Sequence, residues 1–448
     1  NGGGTGDAGA GTCGLPGTPT DFTLPTANIP PNALSATSGQ AICTNGSTFR
    51  WSVTDMDGDQ QPDLLVDSAC DDTTIGTQAW RIYKNTGSGF ADPTRFALPV
   101  PALDPKCTTQ TFMDVDGDLK PDLLVTKSCV DPNVGTTRWL VYPNTPFGFG
   151  TPVVFALPTG FPTDAFATTE NDTLACPRPV YGFFDVDGDR KPDLVFTTAC
   201  DDASVGTSTW RVYKNIGSGV AAPATITLPT KAGFTLGAFA SPRGGALGCE
   251  TAQSIPHWSL LDFDGDLAPD ILVTQTCNDV TVGTSAWLLF HGGANGFDAS
   301  PARVPLPVIA GAPLQSAFLE VAANANCKGT IGEPGYALVD VNADFKPDLL
   351  VTRACGDTTT GVSRWLVYPN AGSAFATSAR TYSLPVALGG TVTEPIGLAA
   401  ALSCTGTPRP AFATGFLAHL RFDAVATSVC HDSTVGTTRW QVFESSCP

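Results

Sequence analysis

The run DMDGDQQPD, starting at Asp55, carries carboxylates at alternate places: Asp55, Asp57, Asp59 and Asp63 stand at places 1, 3, 5 and 9. The backbone carbonyl of Gln61 falls at place 7. A hard divalent cation takes about six to eight oxygens, and a short loop with Asp at alternate places wraps them around it. Gly58 permits the sharp turn. No His or Cys lies in the run, which disfavours softer metals. The chemistry implied is calcium binding. The set returns as Asp114, Asp116, Asp118, Lys120 and Asp122, then as Asp185, Asp187, Asp189, Lys191 and Asp193. It returns again as Asp262, Asp264, Asp266, Ala268 and Asp270, and finally as Asp340, Asn342, Asp344, Lys346 and Asp348. The seventh-place residue offers its carbonyl in each. In the last run Asn342 removes a charge and Ala343 replaces Gly, so four strong calcium sites and a weaker fifth are expected. An ion enclosed by protein oxygens has no open position for substrate, which makes it a staple rather than a catalyst.

The loops sit in a longer repeat. A Cys follows each first Asp by 15 residues, at 70, 129, 200, 277 and 355, and a Trp follows each Cys by 10, at 80, 139, 210, 287 and 365. A sixth copy keeps Cys430 and Trp440, but its loop has decayed to GFLAHLRFD. Each unit offers four short strands: RWSVTD before the loop, DLLV after it, WRIYKN from the Trp, and a strand ending in Leu-Pro. Four-stranded units repeating in this way read as propeller blades. A stray FTLP at 22–25 lacks a preceding blade, and the last unit lacks a Leu-Pro strand. The expectation is an all-β, six-bladed β-propeller of four-stranded blades, with calcium loops in the first-to-second-strand turns and the ring closed by the N-terminal strand. Residues 1–12 read as a Gly-rich tether or linker, and 13–448 as a single propeller.

The DxDGDxxPDLLV loops, with Gly-Phe turns at Gly89-Phe90, Gly148-Phe149 and Gly296-Phe297, resemble FG-GAP/VCBS repeats. These form the blades of integrin α-subunit heads and of some bacterial and fungal propeller lectins. The resemblance spans nearly all of residues 20–445. It implies a binding or adhesion module for carbohydrate or extracellular protein. The integrin head usually has seven blades, and the Cys pattern is not part of the usual repeat.

There are 14 Cys, an even number with no CxxC spacing, which favours disulfides and an oxidising compartment. The chain begins at Asn1 without an initiator Met, and reads as the mature form or a fragment of an exported protein, secreted or at the cell surface. Spacing is constant within units and varies from each Leu-Pro to the next Asp loop. Each variable connection and the constant loop on the same face hold one Cys apiece. The expected pairs are Cys43–Cys70, Cys107–Cys129, Cys176–Cys200, Cys249–Cys277, Cys327–Cys355 and Cys404–Cys430, which leaves Cys13–Cys447 to lock the closure. Variable loops on a rigid scaffold are where binding tends to reside. The constant loops also repeat an Asp, at Asp72, Asp131, Asp202, Asp279, Asp357 and Asp432, which could grip a sugar hydroxyl or cap its own turn. The sequons at Asn45 and Asn171 fall in variable connections.

Lys and Arg number 24 against 42 Asp and Glu, a net charge of −18, which argues against nucleic acid and anionic lipid as partners. No apolar run is long enough to insert in a membrane. The four His, at 257, 291, 419 and 431, do not recur in register, and no GxSxG, HExxH or phosphate-loop motif is present. A binding module is therefore expected, not an enzyme. A structural subunit of an extracellular polymer, filament or coat, self-assembling through the N-terminal tail, is the alternative. A polysaccharide-active enzyme is a third reading.

Overall fold

The structure is a computed structural model. It describes residues 13–14, 18–99, 108–229, 238–242, 244–245, 249, 255–293, 295–312, 318–384, 411–414, 423–429 and 432–445. The tether at 1–12 lies outside them.

The apolar runs after the Asp loops decide the layering. Asp63–Ser68, Asp122–Lys127, Asp193–Thr198, Asp270–Gln275 and Asp348–Arg353 are strands with four consecutive buried residues at their start. A strand that is apolar on both sides must be covered on both sides, so it belongs inside a sheet stacked between two others. The outer strands, such as Thr94–Ala97 and Val153–Ala156, bury one residue in four. They form the rim of the molecule.

Five blades, not the expected six, are complete in one run of chain. The first is an antiparallel meander of Thr48–Thr54, Asp63–Ser68, Ala79–Tyr83 and Thr94–Ala97. The fifth is Gly335–Val339, Asp348–Arg353, Arg364–Tyr368 and Arg380–Ser383. The three between follow the same order. A further sheet is composite: Ala411–Thr414, Ala424–Ser428 and Arg439–Phe443 pair in turn, and the N-terminal strand Thr20–Thr23 completes them. This is the fold of a β-propeller.

Tryptophans pin the second, third and fourth blades to the chain entering the next. The buried indoles of Trp139, Trp210 and Trp287 donate to the carbonyls of Phe166, Phe239 and Phe318 at 2.7–2.8 Å. A buried indole N–H without such a partner would be costly. Trp440 does the same from the composite sheet, to Leu34 at 2.7 Å, ahead of the first blade.

The glycine turns after the third strands stitch neighbours together. Gly148 pairs in parallel with Ala97 of the first blade's rim strand, whose N–H donates to Phe147 at 3.0 Å. A Cβ at Gly148 would sit 2.6 Å from the Ala97 carbonyl oxygen, and its φ is +143°, so glycine is required there. Gly219 meets Ala156 and Gly296 meets Thr227 in the same way. Gly89 meets Thr23 of the N-terminal strand. On the opposite flank, Cys13–Gly14 pairs in parallel with Tyr382 and Ser383 of the fifth blade.

Candidate functional site: the carboxylate loops and the disulfide face

Each Asp loop occupies the tight turn between the first and second strands of its blade. The first-place carboxylate organises the turn: Asp55 accepts the N–H groups of Gly58 and Gln60, both at 2.8 Å. The sixth-place residue turns left-handed in every copy, with φ of 66° at Gln60, 69° at Leu119, 69° at Arg190, 73° at Leu267 and 65° at Phe345. The ninth-place carboxylate is buried and clamps two elements. Asp63 accepts the N–H of Met56 in its own loop at 3.2 Å and that of Asn85, after the third strand, at 2.9 Å. Asp122, Asp193, Asp270 and Asp348 repeat both bonds. Burial pushes Asp63 and Asp348 up to about 7, and Asp122, Asp193 and Asp270 up to about 6; neighbouring carboxylates add to the rise.

The loops bring their acids together as the spacing predicts. Carboxylate oxygens of Asp55, Asp57 and Asp63 lie within 4.8 Å of one another, as do those of Asp114, Asp116 and Asp122, of Asp185, Asp187 and Asp193, and of Asp262, Asp264 and Asp266. In the fifth loop Asn342 donates to Asp344 at 3.4 Å. Crowded like charges raise one another's cost of ionisation, and a divalent cation relieves it. Asp187 Oδ1 is a buried oxygen with no hydrogen-bond partner. This donor set of hard oxygens with one orphaned acceptor fits calcium. Adjacent loops abut: a Cβ at Gly58 would meet Lys120, one at Gly117 would meet Lys191, and one at Gly265 would meet Lys346.

Two features escape a reading confined to the loop motif. The decayed sixth loop keeps its ninth-place acid: Asp423 is buried and accepts the N–H of Ser445 at 2.6 Å. Its distance of seven residues to Cys430 matches Asp63 to Cys70 and was the available signal. The residue four after the blade Trp also reaches its loop. Lys84 contacts Asp57, Lys214 lies 2.7 Å from Asp187, and His291 lies 3.0 Å from Asp264.

At the other end of the second strand stands the disulfide face. Four predicted pairs are formed: Cys43–Cys70, Cys176–Cys200, Cys249–Cys277 and Cys327–Cys355. Cys129 is bonded as well. Cys107, Cys404, Cys430 and Cys447 lie outside the described residues, so the pairs Cys107–Cys129, Cys404–Cys430 and Cys13–Cys447 do too. Asp63 and Ser68 stand at the two ends of one strand, five steps or about 17 Å apart at the usual rise, so the two faces are distinct. Disulfides at this density are consistent with an extracellular location.

The repeated Asp of the constant loop caps its own turn. Asp72 accepts the Thr74 N–H at 2.9 Å and pairs with Arg95 at 3.0 Å. Asp131 pairs with Arg138, Asp202 with Arg211, Asp279 with Arg303, Asp357 with Arg364 and Asp432 with Arg439. Hydrogen bonds from Thr434 and Arg439 hold Asp432 down at about 2. On the same face a cavity of about 340 Å³ is lined by Thr109, Thr111, Thr126, Thr168, Thr169, Glu170 and Asp172. Asn171 is engaged there too, its amide donating to Thr173 and Pro179. His257 bonds Thr274 at 2.8 Å; His419 and His431 lie outside the described residues.

Residues 55–125 match the FG-GAP-like repeat. No curated protein matches the chain. Among solved structures it is similar to the Tc holotoxin pore of Photorhabdus luminescens, at 15% identity and a TM-score of 0.43, over 96% of this chain and 15% of that one. It is also similar to an Agrocybe aegerita lectin that recognises non-reducing terminal N-acetylglucosamine, at 14% identity and 0.35, over 72% of this chain and 64% of that one. A Penicillium chrysogenum α-L-arabinanase complexed with arabinobiose follows at 11% and 0.30, over 95% and 98%. Likenesses this remote carry no argument about ligands. The loop matched in the first and second blades recurs with its geometry in the third, fourth and fifth, so the chain is a β-propeller that carries an FG-GAP-like repeat at residues 55–125.

Proposed function

We propose that this chain is an exported, calcium-stapled binding module that does not catalyse. Calcium in the Asp loops fixes the turns on one face and leaves the disulfide face to present connections of variable length. The ligand class is carbohydrate or an extracellular protein.

The observation that carries this reading is the cavity on the disulfide face. Its threonine hydroxyls beside the carboxylates of Glu170 and Asp172 suit a polyhydroxylated ligand, and the Cys176–Cys200 bond braces the connection that forms its wall. A glycan array with the wild-type chain and with Glu170→Gln plus Asp172→Asn tests it. Binding that the double variant loses supports the site. An array with no hits, alongside filaments in micrographs of the native protein, would replace the reading with a structural one. Calcium is tested by elemental analysis of the purified protein: fewer than about three bound ions per chain would sink the reading of the loops.

A further inference from the structure

One register position, four residues after the blade Trp, aims its side chain into the Asp loop of its own blade. Lys84 places its ammonium against Asp57 and, at 3.2 Å, against Asp59. Lys214 stands 2.7 Å from Asp187. Pro143 and Pro369 hold the position in the second and fifth blades. In the fourth blade it is His291, and the chemistry changes. A lysine ammonium has no lone pair and can only act as an internal cation, whereas a neutral imidazole nitrogen is a metal ligand.

His291 Nδ1 is buried and has no hydrogen-bond partner, although the ring as a whole is 32% exposed. It lies 3.0 Å from Asp264 Oδ2 and 3.9 Å from Asp270 Oδ1. All three groups can present one donor atom within 4.8 Å of the others. Asp270 is fixed by the N–H groups of Phe263 at 2.9 Å and Gly292 at 2.7 Å, so one of the three donors is preorganised by backbone.

We propose that the fourth loop is a mixed-ligand site, in which His291 Nδ1, Asp264 and Asp270 take a borderline divalent transition metal of the zinc or cobalt class. Calcium is coordinated by oxygen, while zinc and cobalt accept imidazole and carboxylate together. Two carboxylates and a neutral imidazole balance the charge of such an ion. The inference rests on the Asp loops being cation sites, and separates this one from the other four.

The full-length chain, stripped with chelator and returned to neutral pH, is titrated with Co²⁺ alone, and the visible ligand-field absorption and heat are recorded. Wild type should develop a band that His291→Gln lacks, with affinity at least about tenfold higher than the variant's. Asp264→Asn should lose the same band, and Ca²⁺ uptake by the other loops should persist in both variants. If His291→Gln keeps the band and the affinity, the imidazole is no more than the ion-pair partner of Asp264 and the proposal falls. If wild type binds Ca²⁺ but shows no Co²⁺ band, the proposal falls while the calcium reading stands. If neither ion binds, both fall.

Discussion

Asp63, Asp122, Asp193, Asp270 and Asp348 are held out of water with both carboxylate oxygens on backbone N–H groups. Burial outweighs those bonds and raises each to about 6 or 7. The sign of the pH dependence follows. Without metal, the folded chain keeps protons that the unfolded chain has released above about pH 4, so the stability from these groups is full below that value and is lost as pH rises through about 6 to 7. In chelator, thermal melts should therefore move upward between about pH 7 and pH 5, and calcium, which needs the carboxylates ionised, should abolish or reverse that trend. A chelated protein that melts lower at pH 5 would contradict this assignment. Ala343 gives a second test at the same scale. It adopts φ of 63°, where the other four loops place glycine, and a left-handed non-glycine residue costs about 1–2 kcal/mol. Ala343→Gly should raise stability by about 1 kcal/mol in denaturant titrations.

At the scale of elements, the third strand of a blade ends by placing a side chain over the loop between the first two. Lys84 and Lys214 there pair with Asp57 and Asp187, and would compete with a metal ion for them. Lys84→Met should tighten calcium at the first loop severalfold by calorimetry, at the expense of some stability in the metal-free protein. Unchanged or weaker binding would show that the ammonium swings aside without cost. The strands were legible because DLLV is apolar on both sides and the Trp strand follows at fixed distance. The carboxylate set was legible because all its members fall within nine residues. His291 was not, since it arrives 29 residues after Asp262 along another strand and becomes a neighbour only when the hairpin closes. Asp423 is hidden for a related reason: it clamps Ser445 without the alternating carboxylates of the other loops, so no motif announces it. The disulfides were legible because both cysteines of a pair leave strands at the same end of one blade.

At the scale of the whole molecule, the composite sheet depends on a short N-terminal strand. Thr20–Thr23 pairs with Arg439–Phe443 in a four-residue register. Phe22 is buried between Phe90, at 4.9 Å between ring centroids, and Trp440, at 6.1 Å. Arg439 ties Asp21 to Asp432 at 2.6 and 2.7 Å, but that clamp is partly exposed and contributes little beside the aromatic burial. Phe22→Ala should cost about 3–5 kcal/mol, the usual range for a buried phenylalanine, and should open the ring between the composite sheet and its neighbours. The expected Cys13–Cys447 bond acts on the same joint through the unfolded chain. Cys43–Cys70 closes a separation of 27 residues and should contribute about 3 kcal/mol in the chain-entropy model. A bond joining the two ends closes nearly the whole chain, and because loop entropy grows only with the logarithm of length, its excess should be about 2 kcal/mol. The comparison is Cys13→Ser with Cys447→Ser against Cys43→Ser with Cys70→Ser, by calcium-saturated melts. The terminal pair should lower the midpoint further. Equal or smaller loss would mean that the buried strand alone holds the ring, and a disulfide found between two molecules would turn the same joint into the link of a polymer.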